Sequence, residues 1–338
     1  MTDVLIVSVG ATAGWRAVAD ELAGSIARAG AAVATVTAVP PPRVRTFALT
    51  DLVQAWGARE ACVRGIAAHR PTAIIYCSIT AALLWPRPGA VSLDTIAAEN
   101  RPGRHGIWQR SVERRRLRRA PLVLASTERA LEPLRGPHGD VVVIPPAVQT
   151  ARAQGGPREI AAVAYAADPD KRRLSFVLEA WARVRLPDET LVVTGIERAP
   201  SVEGVRAVGL LPGVEFRALL RRARVFVAAP RREDFGIAAL EALANGCLLV
   251  TTPSSGPYPA LALARRLDAR LVAADLGAAL RIALDHSRPG YAEQAARLLA
   301  PFSREAIDRR VAREVLPRLL PGFQPLSSGP PYGTGGSW

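Results

Sequence analysis

Two carboxylates flank the start of a glycine-opened helix in the stretch "RREDFGIAALEALANGC", residues 231–247. Glu233 precedes Gly236 in the loop, and Glu241 lies about one turn inside the helix. Carboxylates accept hydrogen bonds from hydroxyl groups. Two carboxylates are not expected to bind one phosphate, because like charges repel. The first N–H groups of the helix have no partner within it and can bind phosphate or a polyhydroxyl group. A ligand with hydroxyls at both ends and phosphates between them, such as a sugar nucleotide, fits this pattern.

The neighbouring elements place this stretch at one edge of a sheet. An apolar run, "RVFVAA" (224–229), predicts a strand before it, and "CLLVTT" (247–252) predicts a strand after it. Residues 237–245 have the apolar spacing of a short helix, which Gly246 ends. In a parallel sheet the loop of such a unit lies at the carboxyl ends of the strands. Open α/β sheets bind their ligands at that edge.

Strand and helix signals alternate along the whole chain and predict an α/β protein with two doubly wound domains. Apolar runs bounded by Gly or Pro are typical of buried parallel strands. The predicted strands cover 4–10, 31–39, 73–77, 90–94, 122–126 and 140–148 in the first half, and 160–166, 190–195, 224–229 and 247–252 in the second.

The alternation stops once, at the polar segment "QTARAQGGPRE" (149–159), which we interpret as a linker. With 338 residues, two domains also agree with the usual domain size of roughly 100–200 residues. We therefore predict domains over 1–150 and 151–302. A last helix over 303–320 could pack back on the first domain. The Gly-, Pro- and Ser-rich tail 321–338 is predicted to be disordered.

Composition narrows the location of the protein. The chain is 49% apolar, yet it has no uninterrupted apolar run of about 18 residues, so no membrane-spanning helix is expected. Its start carries Asp3 instead of a basic segment, which argues against a secretory signal. The scattered cysteines, Cys62, Cys77 and Cys247, favour a reduced cytosol and lack metal-ligand spacing. We expect a cytoplasmic protein without a metal site.

The formal charge is +14, and Lys171 is the one lysine among 44 basic residues. Because ammonium and guanidinium groups are not interchangeable at a crowded phosphate, a retained lysine indicates a specific need. The alternative interpretation is a solvated charge at a helix start. The Arg-rich segment 101–119 has three interpretations: a solvated face, a contact with an anionic membrane, or a nucleic-acid patch. Trp85 and Trp108 leave peripheral contact with the inner face of a membrane open.

The stretch from Glu233 to Glu241, with Phe-Gly between them, resembles the donor-site signature of family 4 of the retaining GT-B glycosyltransferases. The strands that frame it, "VFVAAP" and "CLLVTT", belong to the same resemblance. So do the Gly10 loop and the segment "YAADPDKRRLSFVLEAWARV" (165–184). The resemblance implies two Rossmann-like domains that face each other across a cleft, with an acceptor domain first and a donor domain second.

The resemblance also implies a donor site on the second domain. Glu233 would contact hydroxyls of the transferred sugar, and Glu241 would hold the hydroxyls of the ribose. Backbone N–H groups at Phe235, Gly236 and Ile237 would bind the donor around its sugar and phosphates. The alternative interpretation makes Glu233 an exposed loop charge and Glu241 an ordinary solvent-facing helix residue.

Further roles follow from the same resemblance. Lys171 would neutralise the diphosphate, and the loop at Gly10 would approach the donor from the opposite domain, although Gly10 could equally serve strand–turn–helix packing. Asp94 stands where the family often has a histidine. It could orient the acceptor or accept a hydrogen bond from the sugar, or it could be a turn residue. Ala166 stands near the place of an arginine that the family usually has before the lysine.

The implied activity is transfer of a sugar, of the hexosyl type, from a nucleoside diphosphate sugar to a glycan, lipid or small molecule with retention of configuration. The expected partners are the nucleotide sugar and an acceptor, with no separate cofactor, no metal and no nucleic acid. One alternative is an Arg-rich binding protein for anionic lipid or nucleic acid with a degenerate sugar-nucleotide site. A GT-B-fold epimerase or a phosphorylase-like enzyme is a third hypothesis.

Overall fold

The alternating apolar runs form two parallel sheets in a computed structural model that describes residues 2–10, 13–39, 47–132, 136–149, 156–198, 201–286 and 288–325. The chain divides into unit 1, residues 1–145 and 305–338, and unit 2, residues 146–304. The division after Pro145 falls five residues before the expected boundary at 150. Residues 326–338, most of the predicted disordered tail, lie outside the described residues.

Unit 1 contains a six-stranded, all-parallel sheet in the order β2-β1-β3-β4-β5-β6. Its strands are β1 (Val4–Ser8), β2 (Val33–Thr37), β3 (Ala73–Tyr76), β4 (Ala90–Leu93), β5 (Leu122–Ala125) and β6 (Asp140–Val143). Its helices before unit 2 are α1 (Ala13–Arg28), α2 (Phe47–His69), α3 (Ile79–Ala82), α4 (Ala97–Asn100) and α5 (Ile107–Arg119). Every residue of β1 is buried, as expected for a central strand covered on both faces.

Gly10 follows β1 in a left-handed conformation, with φ +65°. A Cβ atom at this position would lie 2.2 Å from Cγ2 of Thr37, at the end of β2. The local packing therefore requires glycine here whatever the function of the loop. A contact of Gly10 with a donor stays a prediction.

The Arg-rich segment 101–119 divides into structural and exposed arginines. Arg101 Nε pairs with Asp51 Oδ2 at 2.8 Å. Arg116 donates to the carbonyl oxygen of Leu83 at 3.0 Å and lies 5.0 Å from the ring centroid of Trp85. Trp85 is 6% exposed, so its ring offers little surface to a membrane, and peripheral contact of the protein with a membrane stays a prediction. The exposed arginines of α5 are Arg114, Arg115, Arg118 and Arg119.

Glu113 is a buried carboxyl on α5 that holds the loop after β4. Both of its oxygens accept the N–H of Ala97, at 3.0 and 2.8 Å, at the start of α4. Burial raises the pKa of Glu113 to about 7, against the opposing effect of that N–H donor. The loop that Glu113 holds begins with Asp94.

We expect the substitution Glu113→Gln to flatten the pH dependence of stability. Between about pH 4.5 and pH 7 the folded protein keeps a proton on Glu113 that the unfolded chain has released, so stability falls as the pH rises through this window. Glutamine keeps an acceptor for Ala97 and carries no charge. From pH 5 to pH 8, the free energy of unfolding measured with urea should fall by up to about 3 kcal/mol more for the wild type than for the variant. Parallel pH curves for the two proteins would contradict this assignment.

Unit 2 contains a five-stranded, all-parallel sheet in the order β11-β10-β7-β8-β9. Its strands are β7 (Ile160–Tyr165), β8 (Leu191–Thr194), β9 (Val205–Ala207), β10 (Ala223–Ala228) and β11 (Leu248–Thr251). Its helices are α6 (Pro169–Arg172), α7 (Leu174–Val184), α8 (Gly213–Arg222), α9 (Ile237–Ala244), α10 (Pro259–Asp268), α11 (Leu276–Asp285) and α12 (Tyr291–Leu299). The two sheets confirm the prediction of two doubly wound α/β domains.

The helix predicted over 303–320 is interrupted. It consists of α13 (Arg304–Arg310), a π-helical turn (Val311–Val315) and α14 (Leu316–Leu319). From Glu305 onward this segment belongs to unit 1. Asp308 pairs with Arg28 of α1 at 2.7 Å, and Arg310 Nη1 donates to the carbonyl oxygen of Val143 at 2.8 Å. Among the described residues, no helix has the length and apolar character needed to cross a membrane.

Candidate functional site

The site lies where the strand order of unit 2 reverses. The chain runs from β7 through β8 to β9, and then returns to place β10 on the other side of β7. The loops after β7 and β10 therefore leave neighbouring strands at the same edge, in directions that open a crevice. The N–H of Arg231, after β10, donates to the carbonyl oxygen of Lys171, after β7, at 2.9 Å. This topology brings together two segments that are some 60 residues apart in the sequence.

Glu233 is 5% exposed, so it is not the exposed loop charge of the alternative interpretation. Its own N–H donates to the carbonyl oxygen of Ser255 at 3.0 Å, which ties the loop to the segment after β11. Its carboxylate has cations at both oxygens: Lys171 Nζ lies 3.9 Å from Oε1, and Arg172 Nη1 is ion-paired with Oε2. The structure thus places Lys171 beside Glu233, and the predicted role of Lys171 toward a diphosphate stays a prediction.

Lys171 owes its position to a short helix. Asp168 caps α6 and accepts the N–H of Lys171 at 3.0 Å, and Pro169 stands at the first helical position, where its missing N–H costs nothing. The Lys171 side chain is 42% exposed, so its ammonium group can meet a ligand from solvent. Arg173 ends α6 with φ +51°, an unusual left-handed conformation for a residue with a side chain.

Arg172 is a site residue that the sequence analysis missed. Its guanidinium is ion-paired with Glu233 and lies 5.6 Å from the ring centroid of Tyr165. Burial lowers the pKa of Arg172, because the charged form loses contact with water. The available signal was the departure at Ala166, near the place where the family usually has an arginine, together with the arginines that directly follow Lys171.

Gly236 opens α9 in the left-handed conformation, with φ +78°. A Cβ here would lie 2.4 Å from Cε2 of buried Tyr258 and 3.1 Å from Cγ of Glu233. Phe235 is buried and packs edge-to-face on Phe302, with ring centroids 6.2 Å apart. The N–H groups of Gly236, Ile237 and Ala238 open the helix without an acceptor in the described part of the chain.

A cavity of about 20 Å³, room for roughly one water molecule, lies between these groups. Its polar lining comes from Arg172, Glu233 and the aromatic residues Tyr165 and Tyr258, and Gly236 also lines it. The rest of the wall is apolar and comes from the ends of β7 and β10 and from the starts of α7 and α9. Burial raises the pKa of Tyr258 to about 12, so its hydroxyl stays protonated at neutral pH.

Glu241 lies on α9 and is paired with Arg217 of α8, whose Nη1 is 3.3 Å from Oε1. Burial raises the pKa of Glu241, and the neighbouring guanidinium opposes that rise. The side chain is therefore not an ordinary solvent-facing glutamate. It does not line the cavity that contains Glu233, so the two carboxylates have separate surroundings.

The two remaining predicted residues belong to unit 1. Gly10 follows β1, and Asp94 follows β4 with an exposed side chain. Their predicted roles toward a donor or acceptor stay predictions. Within the described ranges, no group of three or more His, Cys, Asp or Glu side chains could hold a metal ion.

Residues 157–285, less than half of the chain, match the family Glycosyl transferases group 1. A phosphatidyl-myo-inositol mannosyltransferase of Propionibacterium freudenreichii subsp. shermanii is 36% identical over 104 residues. That match covers 30% of this chain and 27% of the relative, so the chain matches only about a quarter of the relative's length.

Solved structures are similar over nearly the whole chain. A sucrose-phosphate synthase from Thermosynechococcus elongatus has a TM-score of 0.63 at 18% identity, with 92% of this chain and 97% of that chain covered. WaaG, a glycosyltransferase involved in lipopolysaccharide biosynthesis, has a TM-score of 0.66 at 15% identity, with 91% and 98% covered. The chain therefore has the fold of the GT-B glycosyltransferases, and its residues 157–285 match the family Glycosyl transferases group 1.

Proposed function

We propose that the protein transfers a sugar from a nucleoside diphosphate sugar to an acceptor, with retention of configuration. One observation supports the proposal: Glu233, Lys171 and the N–H groups that open α9 lie together at one edge of the sheet in unit 2. The carboxylate accepts hydroxyl donors of the sugar. The ammonium group and the N–H groups stabilise the phosphate charge.

The chemistry requires charge stabilisation more than a protein nucleophile. The bond between the anomeric carbon and the diphosphate oxygen breaks, and the acceptor oxygen bonds to the same face of the sugar. The departing phosphate takes the acceptor proton. Lys171 and the helix N–H groups stabilise the negative charge that develops on the diphosphate, and such preorganised stabilisation is commonly a large contribution to catalysis. We propose that no metal ion takes part and that the hydroxyls of the ribose bind Glu241.

A panel of nucleotide sugars tests the proposal without knowledge of the acceptor. Uridine, guanosine and adenosine diphosphate sugars are incubated with the full chain, and release of the nucleoside diphosphate is followed with and without added EDTA. We expect slow hydrolysis of one class of donor, unchanged by EDTA, and faster release when a suitable acceptor is added. Absence of turnover together with absence of nucleotide binding across the panel would refute the proposal.

A further inference from the structure

The guanidinium of Arg172 has bonding capacity that the described protein does not use. Its Nη1 pairs with Glu233, and the group lies over the ring of Tyr165. Its Nε is buried and has no hydrogen-bond partner within the described residues. A guanidinium carries five N–H donors, and a buried donor without an acceptor is costly. Arg172 can therefore donate to a further acceptor, either a water molecule in the adjoining cavity or a ligand oxygen that displaces this water.

The surroundings identify the chemistry of that acceptor. Arg172 lines the same cavity as Glu233 and Gly236, and Lys171 adds a second positive charge beside Glu233. An anionic oxygen acceptor suits two neighbouring cations. The planar fork of a guanidinium matches the oxygens of a phosphate, whereas the ammonium group acts as a compact charge.

We propose that Arg172 is shared between Glu233 and a phosphate of the donor, and that this sharing distinguishes the intact donor from its diphosphate product. The inference rests on the proposed function. When sugar hydroxyls donate to Glu233, they satisfy its carboxylate, and Arg172 can turn its donors to the phosphate. When the sugar has left, Glu233 and the diphosphate compete for the same guanidinium. This competition weakens the binding of the product.

Calorimetric titration of the full chain with uridine, guanosine and adenosine diphosphates at low salt tests the sharing. In Glu233→Gln the competing carboxylate is gone, so the diphosphate that binds the wild type should bind about tenfold more tightly. In Arg172→Gln it should bind about tenfold more weakly. In the double variant the effect of the Glu233 substitution should fall below about twofold, because the shared group is absent.

Arg173→Gln is the matched control. It makes the same change of charge one residue away, where the guanidinium lies over Phe176 at 4.1 Å. We expect it to change diphosphate binding by less than about twofold. Arg172→Lys keeps the charge and lacks the fork, so its affinity should lie between those of the wild type and Arg172→Gln. Thermal unfolding of each variant establishes that it is folded.

The outcomes separate this inference from the proposed function. A wild type that binds none of the three diphosphates contradicts the proposed function itself. If the wild type binds a diphosphate and the substitutions Arg172→Gln and Arg173→Gln weaken binding equally, the inference about Arg172 is wrong and the proposed function stands. The same holds if Glu233→Gln leaves the diphosphate affinity unchanged or lowers it. If Arg172→Gln does not fold, the diphosphate affinities of the wild type, Arg172→Lys and Glu233→Gln still test whether Arg172 is shared.

Discussion

Glu233→Gln is expected to lower the turnover of the nucleotide sugar by about 100- to 1,000-fold. The carboxylate is buried beside Lys171 and Arg172, and glutamine replaces one of its two acceptor oxygens with a donor. Sugar hydroxyls then lose a charged acceptor that two cations hold in place. The measurement is release of nucleoside diphosphate from the donor that the panel identifies, with kcat and KM determined separately.

Asp234→Asn provides the control for this experiment. Asp234 is the next residue in the same loop, and it pairs with Arg232 at 2.9 Å instead of with the cations of the site. The substitution removes the same charge, so it reproduces any general electrostatic effect on the loop. We expect a change of no more than a few-fold in turnover. Equal losses in Asp234→Asn and Glu233→Gln would show that the charge of the loop matters and that the position of the Glu233 carboxylate does not.

Gly236→Ala should destabilise unit 2 by about 2–4 kcal/mol and abolish measurable donor binding. The new Cβ would meet the ring of Tyr258 at 2.4 Å, and neither that buried ring nor the start of α9 can move freely. Relief of the clash displaces the helix N–H groups, and with them the side chain of Glu233. Thermal and urea unfolding give the loss of stability, and titration with the donor gives the loss of affinity.

Gly290→Ala separates the cost of the left-handed conformation from the cost of the clash. Gly290 has φ +76°, almost the value at Gly236, and a Cβ there would meet no atom within 4 Å. We therefore expect Gly290→Ala to cost about 1–2 kcal/mol and to leave donor binding intact. If Gly236→Ala proved as mild as this control, the tight approach of Tyr258 would have no functional meaning.

The sequence predicts the strands and the opening of α9 because their signals are local. An apolar run that ends at Pro230, a glycine at 236 and another at 246 mark a strand, a loop and a short helix without reference to the rest of the chain. The strand β9 has three residues, Val205–Ala207, and is too short for an apolar pattern to stand out. The interruption of the helix over 303–320 does have a local signal, Pro317, which lacks the N–H that a helix interior needs and follows the π-helical turn; the sequence analysis did not use it.

The arginines of the site could not be predicted in the same way. Arg172 meets Glu233 because β7 and β10 are neighbours, and Arg217 meets Glu241 because α8 packs near α9. Both contacts join residues far apart in the sequence. In a chain with 44 basic residues and one lysine, arginine is too common for any single one to be noticed. Lys171 could be identified as a candidate because it is the one lysine in the sequence.

The two units differ in the number of chain segments that form them. Unit 2 is one continuous polypeptide, whereas unit 1 is assembled from two segments, the second of which begins at Glu305. Asp308 and Arg310 in this second segment contact α1 and the end of β6 through Arg28 and Val143. A gene fragment that stops at residue 304 would therefore encode all of unit 2 and leave unit 1 without its closing helices. During synthesis on the ribosome, unit 1 is complete only after every residue of unit 2 has been made.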